Sequence, residues 1–283
     1  MNTTSSPITS SPVSSSPVGE LLRGWRRRRR LSQLELALAA EVSQRHLSFL
    51  ESGRAAPSRE MVLRLAEPLA IPLRERNALL TAAGFAPVYR ERALDDPDPG
   101  ESDWAAARRA VELILEGHLP HPALAIDRHW HLVSANKAVA PLMAGADETL
   151  LAPPVNVLRL SLHPDGLAPR IANFRQWRAH ILERLGQQID VSGDAGLTAL
   201  LEELKGYPVP PGARPYRAGT EDSLGGIAVP LEYVAENRTL RFLSTTTVFG
   251  TALDISLSEL AIETFFPADA ETAEAMRALA IDL

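Results

Sequence analysis

Forked side chains able to read bases or grip phosphates stand at Gln33, Gln44, Arg45 and Arg54. Gln can pair bidentately with adenine and Arg with guanine in a major groove, while either can simply position a backbone phosphate. Ser43 and Ser48 add hydroxyls to the same segment. A second chemical set is formed by His118, His121, His129, His131, His163 and His180. His129 and His131 straddle Trp130, but a His-x-His pair without a third ligand in the sequence is a weak metal signal, so no metal is expected. His163-Pro164-Asp165-Gly166 reads as turn chemistry rather than as an acid/base pair. Cysteine is absent, which excludes disulfides, a thiolate nucleophile and sulfur-bound zinc. The sequence contains neither a G-x-S-x-G elbow nor a G-x-x-x-x-G-K phosphate loop. No catalytic residue or cofactor is assigned, and the expectation is a protein that is not an enzyme.

The elements that carry these residues differ along the chain. Residues 19–92 hold 14 Arg against 8 Glu, a balance of +6, and the remainder balances at −12 within a total of −6. Opposite signs indicate two modules, of which the first suits a polyanion. Residues 1–18 are rich in Ser, Thr and Pro and read as a disordered leader. They carry no Lys or Arg to open a signal peptide, and the chain has no apolar run of spanning length, so a cytoplasmic protein without a membrane partner is expected.

From Glu20 the pattern predicts five short helices. Leu21, Leu22 and Trp25 stripe the first, which runs to Arg30. Ser32 and Glu35 form a capping box for a second that stops near Glu41. Ser43 caps a third that Gly53 ends, Ser58 caps a fourth, and Pro72 opens a fifth ending at Gly84. Proline and acidic residues mark a linker over 93–103. Beyond it, short strands are expected over 123–126, 130–134, 227–234 and 240–248, with a long helix over 170–189 and final helices from Ser258 and Asp269. Strands scattered among helices give an α+β domain over 104–283.

LSQLELALAAEVSQRHLSFLESGR resembles the helix-turn-helix of the XRE family, the lambda repressor and Cro-like proteins. The resemblance implies that Gln33 contacts phosphate, that Gln44 and Arg45 reach base edges with Ser43 and Ser48 beside them, and that Arg54 contacts phosphate. Glu41 departs from the family, which often places Gly in this turn. The stretches PLRERNALLTAAGFAPVY, HPALAIDRHWHLVSAN, LSLHPDGLAPRIANFRQW and STTTVFGTALDISLSELAIETFFPAD resemble the MmyB-like branch. There the resemblance implies a five-helix lambda-repressor-like all-α DNA-binding domain followed by an α+β PAS-like domain that binds an apolar small molecule, with a fatty acid associated with the fold. Ala252 stands where that pattern expects Pro.

A ligand pocket is expected between the sheet and the long helix, with Trp177, Ile181, Leu231, Phe242 and Phe249 on its wall. Arg170, at the start of that helix, is the candidate partner for a ligand carboxylate, although an internal salt bridge is the commoner fate of such an arginine. The sequence thus reads as a regulator that binds a double-stranded DNA operator, as a homodimer on two half-sites, and senses an apolar ligand. The alternative is a constitutive DNA-binding dimer whose second domain only oligomerises.

Overall fold

The computed structural model describes residues 16–91, 102–216, 228–235, 238–249 and 254–281. Most of the leader and of the linker, Glu236, Asn237 and Ala252 lie outside them. The chain divides into two units, residues 1–90 and 91–283.

The regular elements described in the first unit are all helices: α1 (Pro17–Arg28), α2 (Gln33–Ala39), α3 (Gln44–Glu51), α4 (Arg59–Ala66) and α5 (Leu73–Ala82). Its helix ends follow from local chemistry. Ser32 and Glu35 exchange both capping-box hydrogen bonds, and the hydroxyls of Ser43 and Ser58 accept from the His46 and Met61 amides. The first helix begins earlier than composition suggests, since Pro17 sits in its first turn and Val18 is buried in the core. Leu22, Leu36, Leu47, Leu50, Leu65 and Leu79 meet at the centre of this unit, each without exposed surface or nearly so.

The second unit starts with α6 (Ser102–Gly117) and a hairpin of β1 (Ala123–Ile126) and β2 (Leu132–Ala135). Short helices α7 (Ala140–Met143), α8 (Glu148–Leu151) and α9 (Val157–Leu162) follow, then a 3-10 turn at Ala168–Arg170. The paired helices α10 (Phe174–Ser192) and α11 (Ala195–Gly206) precede a second hairpin, β3 (Leu231–Ala235) and β4 (Arg238–Val248). The described chain closes with α12 (Ile255–Ser258), β5 (Ala261–Pro267) and α13 (Ala270–Ile281). The sheet order is β2-β1-β5-β4-β3 with every pairing antiparallel, so the last described strand joins two separate hairpins.

All four residues of β1 are buried, because the strand is covered on both faces. Leu124 and Ile126 enter a core with α9, α10 and α11, while Ala123 and Ala125 enter one with Val111 and Leu115 of α6. A third cluster joins Tyr233, Leu240 and Phe242 to Ala275 and Met276 of α13.

Three expectations change here. Ser258 ends a short helix capped by Asp254, and the stretch expected to continue as helix is instead β5, the central strand. Sheet pairing overrides local propensity, since β5 has β1 and β4 on its two edges. The long helix begins at Phe174, leaving Arg170 at the end of the 3-10 turn. Trp130 adopts a left-handed φ of 67°, so the second strand begins at Leu132 rather than at Trp130.

Candidate DNA-reading surface and ligand cavity

In the first unit, α2 and α3 are joined by a four-residue turn in which Glu41 takes a φ of 55°. That is the position where a glycine would be unstrained, so the departure noted in the sequence is accommodated by a left-handed glutamate. Ser43, Gln44 and Arg45 are exposed at the start of α3, and Arg54 is exposed just beyond its end. Ser43 is also the helix cap, which leaves its hydroxyl engaged with the His46 amide. Ser48 and Phe49 are half-buried one turn on. Two guanidinium groups stand over the Phe49 ring, Arg45 at 5.4 Å and Arg54 at 5.9 Å from its centroid.

Gln33 is held rather than free. Its Nε2 donates to Glu51 Oε2 at 2.9 Å, and Glu51 is fully buried beneath Arg26. Glu51 escapes the hydropathy pattern because a charge sits at the core spacing of Leu47 and Leu50; that misplacement is itself the readable signal.

In the second unit, a cavity of about 120 Å³ opens between the sheet and α10. Trp177, Ile181 and Leu231 line it, joined by Leu124 and Trp130. Both indoles are satisfied within the protein: Trp177 Nε1 donates to Ser161 Oγ at 3.0 Å and Trp130 Nε1 to Gln188 Oε1 at 2.8 Å. Arg184 also faces the cavity; it is paired with Glu263 and stacked 4.7 Å from the Trp130 ring centroid. His180, Tyr233 and Ser244 add further polar groups to the wall. Burial, followed by the nearby Arg184 charge, pushes the His180 imidazole below the ordinary histidine range, so the ring is neutral near pH 7.

The remaining expected wall residues lie elsewhere. Phe242 is fully buried in the cluster with Met276, and Phe249 packs against the cluster of Val111 and Leu115. Arg170 lines a different cleft, beside Tyr233 and Arg238. Its Nη1 donates to the Ala144 carbonyl at 2.6 Å, and its guanidinium stands 5.3 Å from the Tyr233 ring centroid. No salt bridge holds it among the described residues, and the helix at whose start it was expected begins at Phe174. His180 and Arg184 were legible: with Trp177 and Ile181 they fall at i, i+3, i+4 and i+7, one face of α10.

A helix-turn-helix ahead of an α+β domain with an internal apolar cavity defines a DNA-binding transcription regulator carrying a ligand-binding domain. The helix-turn-helix family profile matches residues 22–76, and the profile for the MmyB-like transcription regulator ligand binding domain matches residues 107–279. The chain belongs to this MmyB-like family. Among solved structures it is similar to the clp gene regulator ClgR from C. glutamicum, with 30% identity over 26% of this chain and 92% of that chain and a TM-score of 0.22. Comparison with curated proteins yields no match.

Proposed function

We propose that the chain is a non-enzymatic, cytoplasmic regulator that binds a double-stranded operator as a homodimer, and that an apolar small molecule in its second unit controls that binding. The observation that carries the sensor reading is the cavity beside α10, whose wall is mostly apolar and in which Trp177 and Arg184 are held by Ser161 and Glu263 while His180 faces the space. Gln44 and Arg45 read bases from the exposed start of α3, with Ser43 and Ser48 beside them, and Gln33 and Arg54 position the backbone. One recognition helix covers little DNA, which favours two half-sites and a dimer. Ligand entry shifts the dimer between geometries that differ in half-site spacing.

The wall chemistry favours a ligand with a neutral polar end over a free fatty acid. A carboxylate placed at Arg184 would compete with Glu263, which is only 5% exposed and already paired there. Neutral His180 can instead exchange a hydrogen bond with a hydroxyl or carbonyl. A volume of about 120 Å³ is near the size that holds a benzene-like body, so a longer acyl chain enters only as the wall parts.

Calorimetric titration of the delipidated full chain with a medium-chain alcohol and the matching fatty acid tests this reading. The alcohol is expected to bind, with affinity rising by roughly 0.8 kcal/mol per added methylene until the cavity fills. Tighter binding of the acid would restore the carboxylate reading. Binding of neither would leave a constitutive dimer and overturn the sensor.

A further inference from the structure

The turn between β1 and β2 brings together donors that are not adjacent in chemistry or in function to the cavity's polar wall. Asp127, His129 and His131 each offer one ligand atom, and the three atoms all lie within 4.8 Å of one another. Asp127, two residues before His129, supplies the carboxylate that the His-x-His pair lacks.

Its placement is fixed by the backbone. Asp127 Oδ1 accepts the amides of His129 and His131, both at 2.8 Å, so the carboxylate cannot swing away. Oδ2 is left 3.0 Å from His131 Nδ1. The second histidine is fixed from outside the turn: His129 Nε2 stands 3.0 Å from Oδ2 of Asp194, the residue that caps α11. The charge of Arg128 is shared between Asp194 at 3.7 Å and Glu259 at 3.8 Å. Asp127, His129 and His131 keep 39%, 31% and 29% of their side-chain surface exposed, enough for an ion to enter from solvent.

We propose that Asp127, His129 and His131 form a divalent-cation site of zinc type, with Asp194 orienting the His129 ring. Nitrogen and carboxylate donors bind zinc at about 2.0–2.2 Å, which puts them a few ångströms from one another, as they are here. Two imidazoles and one carboxylate leave a fourth position for water, the arrangement of an exchangeable rather than a sealed site. A carboxylate on the far side of a ligating imidazole is the usual orienting partner of such a ring, and Asp194 occupies that place. Because the two histidines bracket Trp130, a wall residue of the cavity, a bound ion stiffens that part of the wall.

The test uses untagged full-length protein stripped with a chelator, titrated with Zn²⁺ by calorimetry and with Co²⁺ by visible absorption. One ion per chain is expected. His129→Gln and His131→Gln should each weaken binding at least about tenfold, and Asp194→Asn should weaken it by about 10- to 100-fold, the range seen when an orienting partner is lost. His163→Gln, in a different turn, should bind as the parent does. If either histidine variant does not fold by circular dichroism, the other decides on the same criterion, and the Co²⁺ spectrum of the parent must still show the d–d bands of a low-coordinate nitrogen and oxygen site. Absence of binding by the parent, or undiminished binding by the folded histidine variants, would overturn the proposal.

Discussion

Arg26 grips Glu51 through both carboxylate oxygens, Nε to Oε1 at 2.6 Å and Nη2 to Oε2 at 2.8 Å. The bond ties the last turn of α1 to the last residue of α3. Arg26 Nη1 donates onward to the Leu31 carbonyl, Arg23 Nη2 donates to the Glu51 carbonyl, and Gln33 shares the carboxylate from α2. One buried anion thus sets the relative placement of α1, α2 and α3.

Removing one member of such a pair leaves the other charge buried alone. Glu51→Ala should destabilise the first unit by about 3–5 kcal/mol, whereas an exposed control such as Glu60→Ala should stay within about 0.5 kcal/mol. Thermal unfolding of residues 16–91 measures both. Burial raises the Glu51 carboxyl and the hydrogen bonds from Arg26 and Gln33 outweigh it, so the net displacement is below the ordinary glutamate range. A depressed folded-state value stabilises above the unfolded value of about 4.3, and that stability is lost as pH falls through the folded value. Acid unfolding of the parent should therefore steepen below about pH 4.3 through this group, and Glu51→Gln should flatten that portion of the curve.

The helical unit was largely legible because its signals are local: Ser32 with Glu35, Ser43 and Ser58 mark helix starts within four residues of the bonds they make. The second unit was legible only in part. The strand β5 owes its state to β1 and β4, which lie far away in sequence, and no nearby turn announces it. α6 and α11 likewise escaped a reading that weighed only the longest apolar stripe. On the cavity wall Trp177, Ile181 and Leu231 could be inferred from spacing, while Phe242 has the same composition and faces another core. Apolar residue type cannot tell a wall from a filling.

Arg45 and Gln33 should separate in DNA-binding assays. Arg45→Ala should lose about 1–3 kcal/mol at the operator and relax preference at one base pair, because a bidentate base contact is removed. Gln33→Ala should weaken binding to all sequences alike. Its amide is already held by Glu51, so a small loss of stability should accompany the change. Fluorescence anisotropy on operator and scrambled duplexes distinguishes the two; an unchanged operator affinity for Arg45→Ala would rule out the proposed register of α3.

Arg170 and Ile181 provide the matching contrast in the second unit. Arg170→Ala removes the bond to the Ala144 carbonyl and the stack on Tyr233, so it should cost about 1–2 kcal/mol of stability without altering affinity for an apolar ligand. Ile181→Ala enlarges the cavity, should destabilise the ligand-free protein by about 2–5 kcal/mol, and should shift the best-bound chain length upward. Calorimetry over a series of alcohols reads the shift, and an affinity loss confined to Arg170→Ala would move the ligand to the other cleft.

Asn136 is a structural tie that the sequence offers no reason to single out. It is buried at the end of β2, where its Oδ1 accepts from the Ala123 amide and its Nδ2 donates to the carbonyls of Leu115 and His121. The side chain joins α6, the loop after it and both strands of the first hairpin. Asn136→Ala strands the Ala123 amide and the His121 carbonyl, while the Leu115 carbonyl keeps the His118 amide, at about 1–3 kcal/mol for each group that water cannot reach, so a marked fall in the melting temperature is expected. Asn136→Asp should be at least as destabilising, since it keeps the acceptor for Ala123 but buries a carboxylate oxygen against two carbonyls. Equal melting temperatures for parent and Asn136→Ala would mean that ordered water replaces the amide.

Gly19 gives the sharpest test of how α1 seats the recognition helix. A Cβ built on it would stand 2.5 Å from the Leu50 carbonyl oxygen and 2.9 Å from that of Glu51, both backbone atoms at the end of α3. Neither can turn aside as a side chain would, so Gly19→Ala must push α1 and α3 apart, and overpacking of this kind costs about 1–3 kcal/mol. The displacement also bears on the Arg26–Glu51 bond, because both contacts join the same two helices. Gly24 in the same helix has open space around it and serves as the control: Gly24→Ala should stabilise by up to about 1 kcal/mol through helix propensity alone. Operator affinity should fall in Gly19→Ala and not in Gly24→Ala. If both variants bind operator as the parent does, α3 reaches its place without the close seat that Gly19 provides.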